Sequence, residues 1–247
     1  MNWPLELADN PNTYTPLRAN DERIVADRYV LFVSGGAGGA VAQRFRFDAG
    51  ELDEVRAELH GLMRERGRDE LAWEIGAHAR PEGLAERLLE LGLEDDGVQV
   101  GMVLDTPPAS SSPHDVEVRR VATPQEMFAA SRIAAIAFGD PVPGEVTPYE
   151  PDADDVVYLA YIDGEPVARG SASFGEHGVT LNGGSTLPEA RSRGAYRALV
   201  AARWADAVAR GLPLLVTQAS PHSHPILARL GFREVCRIRA LNDRLSP

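Results

Sequence analysis

Two stretches of this 247-residue chain end in the same pattern, and that recurrence restricts the fold more than any other feature. Leu88-x-x-Leu91-Gly92-Leu93 and Leu227-x-x-Leu230-Gly231-Phe232 each close a short helical pattern with glycine and lead into a strand-like run. Glycine just past the last helical residue supplies the left-handed backbone that stops a helix. The elements before each ending also recur in one order. A long helix (51–66, stopped by Gly67; about 191–210, closed by Gly211) is followed by a strand (70–76; 212–219). A short helix (81–91; 223–230) and a last strand (98–104; 232–241) then complete each set. An internal duplication accounts for both. The Pro/Ser cluster TPPASSSPH (106–114) is the best linker between the copies, and it predicts domains at 1–113 and 114–247.

The second copy is the more legible. Val116–Val121 alternates as a strand, and Thr123-Pro124-Gln125-Glu126 has the residues of a capping box with proline at the first helical position. That helix should stop at Gly139. After a Pro-rich acidic loop, VVYLAYI, PVARGSASF and VTLNGGSTL form an antiparallel meander, turning at Asp163-Gly164 and at Gly175–Gly178. In the first copy, YVLFV and AVAQRFRF flank the run Ser34–Gly39. This run lacks the third fingerprint glycine and continues into alternation, so it reads as a hairpin and not a dinucleotide loop. The class is α/β (an α+β mixed sheet): a central, mostly antiparallel sheet flanked by helices, occurring twice.

Composition narrows the chemistry. All 25 basic residues are arginine, so a P-loop lysine and a lysine Schiff base are both excluded. The net charge of −12 disfavours a nucleic-acid binder. No apolar run approaches the roughly 18 residues that span a membrane. A single cysteine, Cys236, fits a reduced, cytoplasmic protein. The charge is also uneven. Residues 139–176 carry −8, whereas 177–247 carry +6. The acidic loop is expected to recognise a small cationic amine through Asp152, Asp154 and Asp155, while the arginine-rich part attracts a polyanion. Glu94-Asp95-Asp96 reads as a solvated turn. His222-x-His224 lacks the neighbours of a metal site.

The chemistry is carried by Leu187-Pro-Glu-Ala-Arg191-Ser192-Arg193-Gly194-Ala195-Tyr196-Arg-Ala-Leu199. A strand runs through a turn with two arginines and a glycine straight into a long helix. The first amides of a helix lack intrahelical partners, and the macrodipole adds partial positive charge there. Glycine lets a phosphate approach such an end closely, and arginine's fork suits its oxygens.

This turn resembles the coenzyme A pyrophosphate loop of GNAT-type N-acetyltransferases. Over about 115–247 the meander, the Arg191-x-x-Gly194 loop, the long helix, the parallel strand and the Leu-Gly-Phe ending agree in order. The resemblance implies tandem GNAT-like units, with acetyl-CoA as cosubstrate. Thr186 and Leu187 would face the pantetheine arm, and the N–H groups of Arg191, Ser192, Arg193, Gly194, Ala195 and Tyr196 would hold the pyrophosphate. A primary amine would then attack the thioester directly. The first copy has Phe47-Asp48-Ala49-Gly50-Glu51-Leu52 in place of the loop, so it is degenerate and should not bind coenzyme A.

Two departures from the family pattern matter. Leu227 stands where a general-acid tyrosine is common, and VTLNGGSTL has no glutamate. Tyr196 replaces a small residue, its ring placed to pack on the cofactor. Ser220, His222 and His224 are the remaining proton handlers, with His222 the catalytic candidate because histidine as a residue type titrates near neutrality. The opposing reading is that Ser220 or Ser223 caps the short helix while the histidines are exposed. The rival function is a non-catalytic acyl-CoA-binding or regulatory module. A homodimer stays open.

Overall fold

The computed structural model describes residues 1–35, 39–109 and 115–245. In chain order the first elements are α1 (Trp3–Asp9), β1 (Glu22–Val25), β2 (Val30–Val33), β3 (Ala40–Gln43), α2 (Leu52–Glu65), β4 (Glu70–Ile75), α3 (Leu84–Glu90) and β5 (Glu94–Leu104). There follow β6 (Val116–Arg120), α4 (Pro124–Phe138), β7 (Asp155–Ile162), β8 (Glu165–Phe174), β9 (Val179–Thr186), α5 (Ala195–Ala209), β10 (Leu215–Ala219), α6 (His224–Arg229) and β11 (Arg233–Arg244). They form two compact units. One comprises Met1–Met102, Gln218–His224 and Glu234–Pro247; the other Val103–Thr217 and Pro225–Arg233.

Within the first unit the strand order is β1-β2-β3-β4-β11-β5. β2 and β3 form the expected hairpin, registered Val30↔Gln43 to Val33↔Ala40; the turn residues 36–38 of the glycine run lie outside the described residues. β3 and β4 are parallel, with α2 between them in sequence. The buried face holds Leu31, Phe45, Val55, Leu59, Met63 and Trp73, with Phe45 stacked on Trp73 at 4.9 Å. Val55, Leu59 and Met63 fall on one stripe of α2 at four-residue spacing, which is why that helix packs on the sheet. The second unit repeats the plan with strand order β10-β9-β8-β7-β6: an antiparallel meander, then α5, then β10 parallel to β9. Its α4 caps as the sequence requires. Thr123 Oγ1 accepts Glu126 N–H at 3.2 Å, Glu126 Oε2 accepts Thr123 N–H at 3.1 Å, and Gly139 ends the helix at φ 81°. The two Leu-Gly endings also match in detail. Leu93 N–H donates to Leu88 O, and Phe232 N–H to Leu227 O, each at 3.1 Å, with Gly92 and Gly231 left-handed.

The structure corrects three expectations and adds two elements. Glu94-Asp95-Asp96 is the start of β5, not a turn, because Asp95 is anchored by Arg239 at 2.6 Å. The long helix begins at Ala195, not 191, since Ser192 and Gly194 hold left-handed backbone that a helix cannot contain. α1 and β1 had no legible signal, for α1 has no side-chain cap and β1 is four partly exposed residues. The last strand runs on to Arg244 and pairs antiparallel with β4, so 234–245 lies in the first unit. Of the linker, 110–114 falls outside the described residues. Among the described residues no helix is long and apolar enough to cross a membrane. Cys236 is buried, and burial and Asp9 push its thiol up to about 12, which keeps it in the thiol form.

Opposite Ala240 on β4 lies Glu74, nine-tenths buried, with Gln218 Nε2 donating to its Oε2 at 3.4 Å. Burial pushes its carboxyl up to about 7, against a lowering by Gln218. A carboxyl raised in the folded state holds a proton that the unfolded chain has released. Stability therefore falls as pH rises from about 4.3 to 7. Glu74→Gln is expected to be the more stable protein above pH 7, by up to ~3 kcal/mol, and level with the parent near pH 4. Urea melts at pH 4.5 and 8 would show this; equal differences at both pH values would refute it.

Candidate functional site

In the second unit β9 leads into a 3₁₀ turn at Pro188–Ala190 and then the turn Arg191–Gly194. Ser192 has φ 65° and Gly194 φ 88°, so the chain folds back twice in left-handed backbone before α5 starts. The first turn of α5 has no side-chain cap and no acidic residue. Its amides and dipole are therefore presented with no protein anion on them. The first unit is the control. Before α2, Asp48 and Glu51 make a capping box, and Asp53 and Glu54 sit in the first turn. Protein carboxylates already occupy that end, whereas the first turn of α5 carries none.

Beside the turn, β9 separates from its parallel neighbour. Registered pairing stops at Leu215↔Val179 and Val216↔Thr180, and Thr217 Oγ1 then donates to Leu181 O at 3.1 Å. On the other edge β8 and β9 shift register between Arg169 and Ser171, opposite Asn182–Ser185. Gly183 is left-handed at φ 56°, and its carbonyl accepts Arg169 Nη1 at 2.9 Å. The register shift is a bulge, which bends β9 and re-aims its backbone locally. The pair Gly183-Gly184 was the available signal in the sequence, since glycines inside a strand pattern mark a bulge or a close backbone approach.

The predicted loop residues come together. Thr186 ends β9, its carbonyl 3.4 Å from Arg191 Nε. Leu187 N–H donates to Val167 O at 2.9 Å, while its side chain packs on the cluster of Ile133, Leu159 and Tyr161 under α4. Arg193 pairs with Asp163 at 3.1 Å, both exposed. Ala195 is buried, and the Tyr196 ring lies against Gly184 on the α5 side of the sheet. Leu227 is a 1% exposed core residue and donates no proton.

His222 is exposed in a turn of 218–224, a segment of the first unit. There Ser220 Oγ accepts Ser223 N–H at 3.3 Å, as a cap would, and His224 Nε2 is 2.6 Å from Glu234 Oε1. Among the described residues no group of three or more His, Cys, Asp or Glu could hold a metal.

The acidic loop is committed elsewhere at its far end. Asp152 Oδ1 accepts Asp154 N–H, Asp154 is 3.7 Å from Arg210, and buried Asp155 accepts Ser173 Oγ at 2.7 Å. Arg210 caps α5 at the end opposite Gly194, and its guanidinium lies 3.7 Å over the Phe174 ring. Fifteen residues of helix, roughly 22 Å, separate these carboxylates from the turn. They brace the base of the meander.

No family model matches the chain, and no curated protein matches it in sequence. Solved structures do. A GCN5-related N-acetyltransferase from Kribbella flavida is 22% identical with a TM-score of 0.74, over 98% of this chain and 96% of that one. A functionally unknown conserved protein from Staphylococcus epidermidis is 14% identical with a TM-score of 0.68, over 93% and 96%. A tandem GNAT protein from the clavulanic acid biosynthesis pathway is 16% identical with a TM-score of 0.59, over 89% and 79%. The chain thus has the fold of the GCN5-related N-acetyltransferases, in the tandem form that the duplication predicted.

Proposed function

We propose that the second unit binds acetyl-CoA and passes the acetyl group to a primary amine, a small cationic one. The observation that carries this reading is the uncapped, acid-free start of α5 behind two left-handed residues, where α2 is closed by its own carboxylates. The amides of the first turn, with Arg191 and Arg193, would hold the pyrophosphate. The opened edge of β9, Asn182 to Thr186, would offer backbone groups to the amides of the pantetheine arm.

In the proposed reaction the ammonium first releases a proton to solvent or to a base, and the freed amine lone pair attacks the thioester carbon, forming the C–N bond as the C=O electrons move to oxygen. Collapse restores C=O and breaks C–S, the bonding pair leaving with sulfur. The second ammonium proton is lost to solvent or to a base, and the thiolate gains one. Aligning two bound reactants contributes up to roughly 7–11 kcal/mol in ideal cases, so an enzyme without a dedicated acid is chemically reasonable. His222 is the proposed proton carrier because it is exposed in the turn after β10 and has no hydrogen bond of its own among the described contacts.

The absence of the tyrosine at Leu227 favours a second reading, a non-catalytic acyl-CoA-binding or regulatory module. Both readings require coenzyme A to bind in calorimetry. The enzyme alone should release free thiol from acetyl-CoA with a panel of amines. His222→Ala is expected to lower kcat about tenfold or more, the usual minimum for a lost proton carrier, with coenzyme A affinity unchanged. A smaller loss removes His222 from the mechanism, and no thiol release with any amine leaves the binding module.

A further inference from the structure

The face of α5 that meets the sheet holds a cation with no counter-charge. Arg203 is 1% exposed. Its Nε donates to Leu199 O at 3.0 Å and its Nη1 to Ser171 O at 3.2 Å, while buried Nη2 has no hydrogen-bond partner. Among the described residues no carboxylate pairs with it. The nearby Asp206 accepts the Tyr158 hydroxyl and is bridged by Arg120 at 2.7 Å. Burial lowers the guanidinium pKa from its ordinary value, but arginine remains charged in proteins.

Two glycines make room for this group. A Cβ on Gly170 would stand 3.0 Å from Arg203 Nη1, and one on Gly184 would stand 2.6 Å from Tyr196 Cε2. The Tyr196 ring centre is 6.0 Å from the guanidinium carbon. Gly170 and Gly184 both belong to the register shift of β8 and β9. Arg203 therefore packs against the bulge at Gly170, on the face of the sheet that α5 covers.

A buried cation balanced by carbonyls and the Tyr196 ring and not by a carboxylate is costly to desolvate. Packing alone does not explain its presence. If the pyrophosphate lies at Arg191–Tyr196, the pantetheine arm runs back along β9. The five strand steps from Leu187 to Asn182 span roughly 17 Å, a length comparable to the extended arm. The thioester then reaches the Gly183–Gly184 bulge, and the buried Leu227 holds the position of the family's common general-acid tyrosine. We propose that Arg203 is a positioning residue for acyl transfer: its charge, held behind the bulge, stabilises the negative charge that develops on the thioester oxygen and the departing thiolate. A fixed charge in a dry, low-dielectric site acts at short range without reorganising. The inference rests on the acyl-transfer reading above.

The test compares wild type, Arg203→Met and Arg203→Lys in acetyl-CoA turnover and thermal melts, with the amine that wild type uses. Arg203→Met should melt at or above the wild-type temperature and keep its KM for acetyl-CoA within about twofold, yet lose at least about tenfold in kcat. Arg203→Lys, which restores a charge, should recover part of kcat. An unchanged kcat in Arg203→Met overturns the proposal. So does a parallel fall of melting temperature and kcat that Lys restores together, since that marks a structural brace. If wild type binds coenzyme A but releases no thiol with any amine, the acyl-transfer reading fails, and this proposal with it.

Discussion

Gly194→Asp is expected to raise the dissociation constant for coenzyme A at least about a hundredfold, equivalent to ~2.7 kcal/mol, while moving the melting temperature by only a few degrees. The two effects separate because they arise from different properties of one position. Gly194 holds φ 88° as the N-cap of α5. Aspartate is among the few L residues that visit this backbone, at a cost of order 1 kcal/mol. An N-cap carboxylate also accepts the orphan amides, which contributes about 0.5–2 kcal/mol. Strain and capping nearly cancel, so the fold survives. The same carboxylate then occupies the amides proposed for the pyrophosphate and repels it. Gly194→Ala, which adds strain without charge, should weaken binding much less. Titration calorimetry decides the matter: coenzyme A binding to Gly194→Asp within threefold of wild type would mean that the pyrophosphate is held elsewhere.

The largest expected loss of stability lies in the first unit. Asp243 on β11 is 2% exposed and is held by Arg56 Nη2 at 2.9 Å and His60 Nε2 at 2.7 Å, both from α2. Burial pushes this carboxyl up, but Arg56 and His60 outweigh burial and hold it below the ordinary aspartate value. Asp243→Ala leaves two partly buried donors facing a void, and the expected destabilisation is ~3–5 kcal/mol, the usual result of removing one member of a buried pair. Asp243→Asn keeps the shape without the charge and should lose less. A depressed carboxylate pKa contributes stability that is present above the unfolded value near pH 4 and is lost as pH falls through the folded value. The difference between wild type and Asp243→Asn should therefore shrink below about pH 4. Urea melts at pH 7 and 3 would show it; a difference independent of pH would refute the charge as its cause.

Asp243 also shows why part of the fold was illegible. Nothing local in REVCRIRALNDR indicates that its last six residues lie beside β4, because that pairing joins residues some 170 positions apart in the chain. By contrast, Thr123–Glu126, Gly139, Asp163-Gly164 and the two Leu-Gly endings act within a few residues of themselves, and each has the expected geometry. The candidate site divides in the same way. Arg191-x-x-Gly194 was legible because a helix end and its glycine are neighbours. Arg203 and Tyr196 had no signal pointing to Gly170 and Gly184. Of the acidic run only the net charge was visible; that Asp154 lies 3.7 Å from Arg210 and that Asp155 accepts the Ser173 hydroxyl depends on distant elements meeting.

By itself, the sequence determined what short-range chemistry can specify in this protein. Those properties are the duplicated order of elements, the turn types, the caps, and an open helix end that suits an anion in a chain without lysine. Only the tertiary structure decided which unit receives the last strand, where β9 leaves β10, and which charges remain without partners. Caps and turns are satisfied by atoms within one or two helical turns, so their residues carry the information locally. Strand pairing and the burial of a charge depend on which distant surfaces meet, and that becomes definite only when the chain is packed.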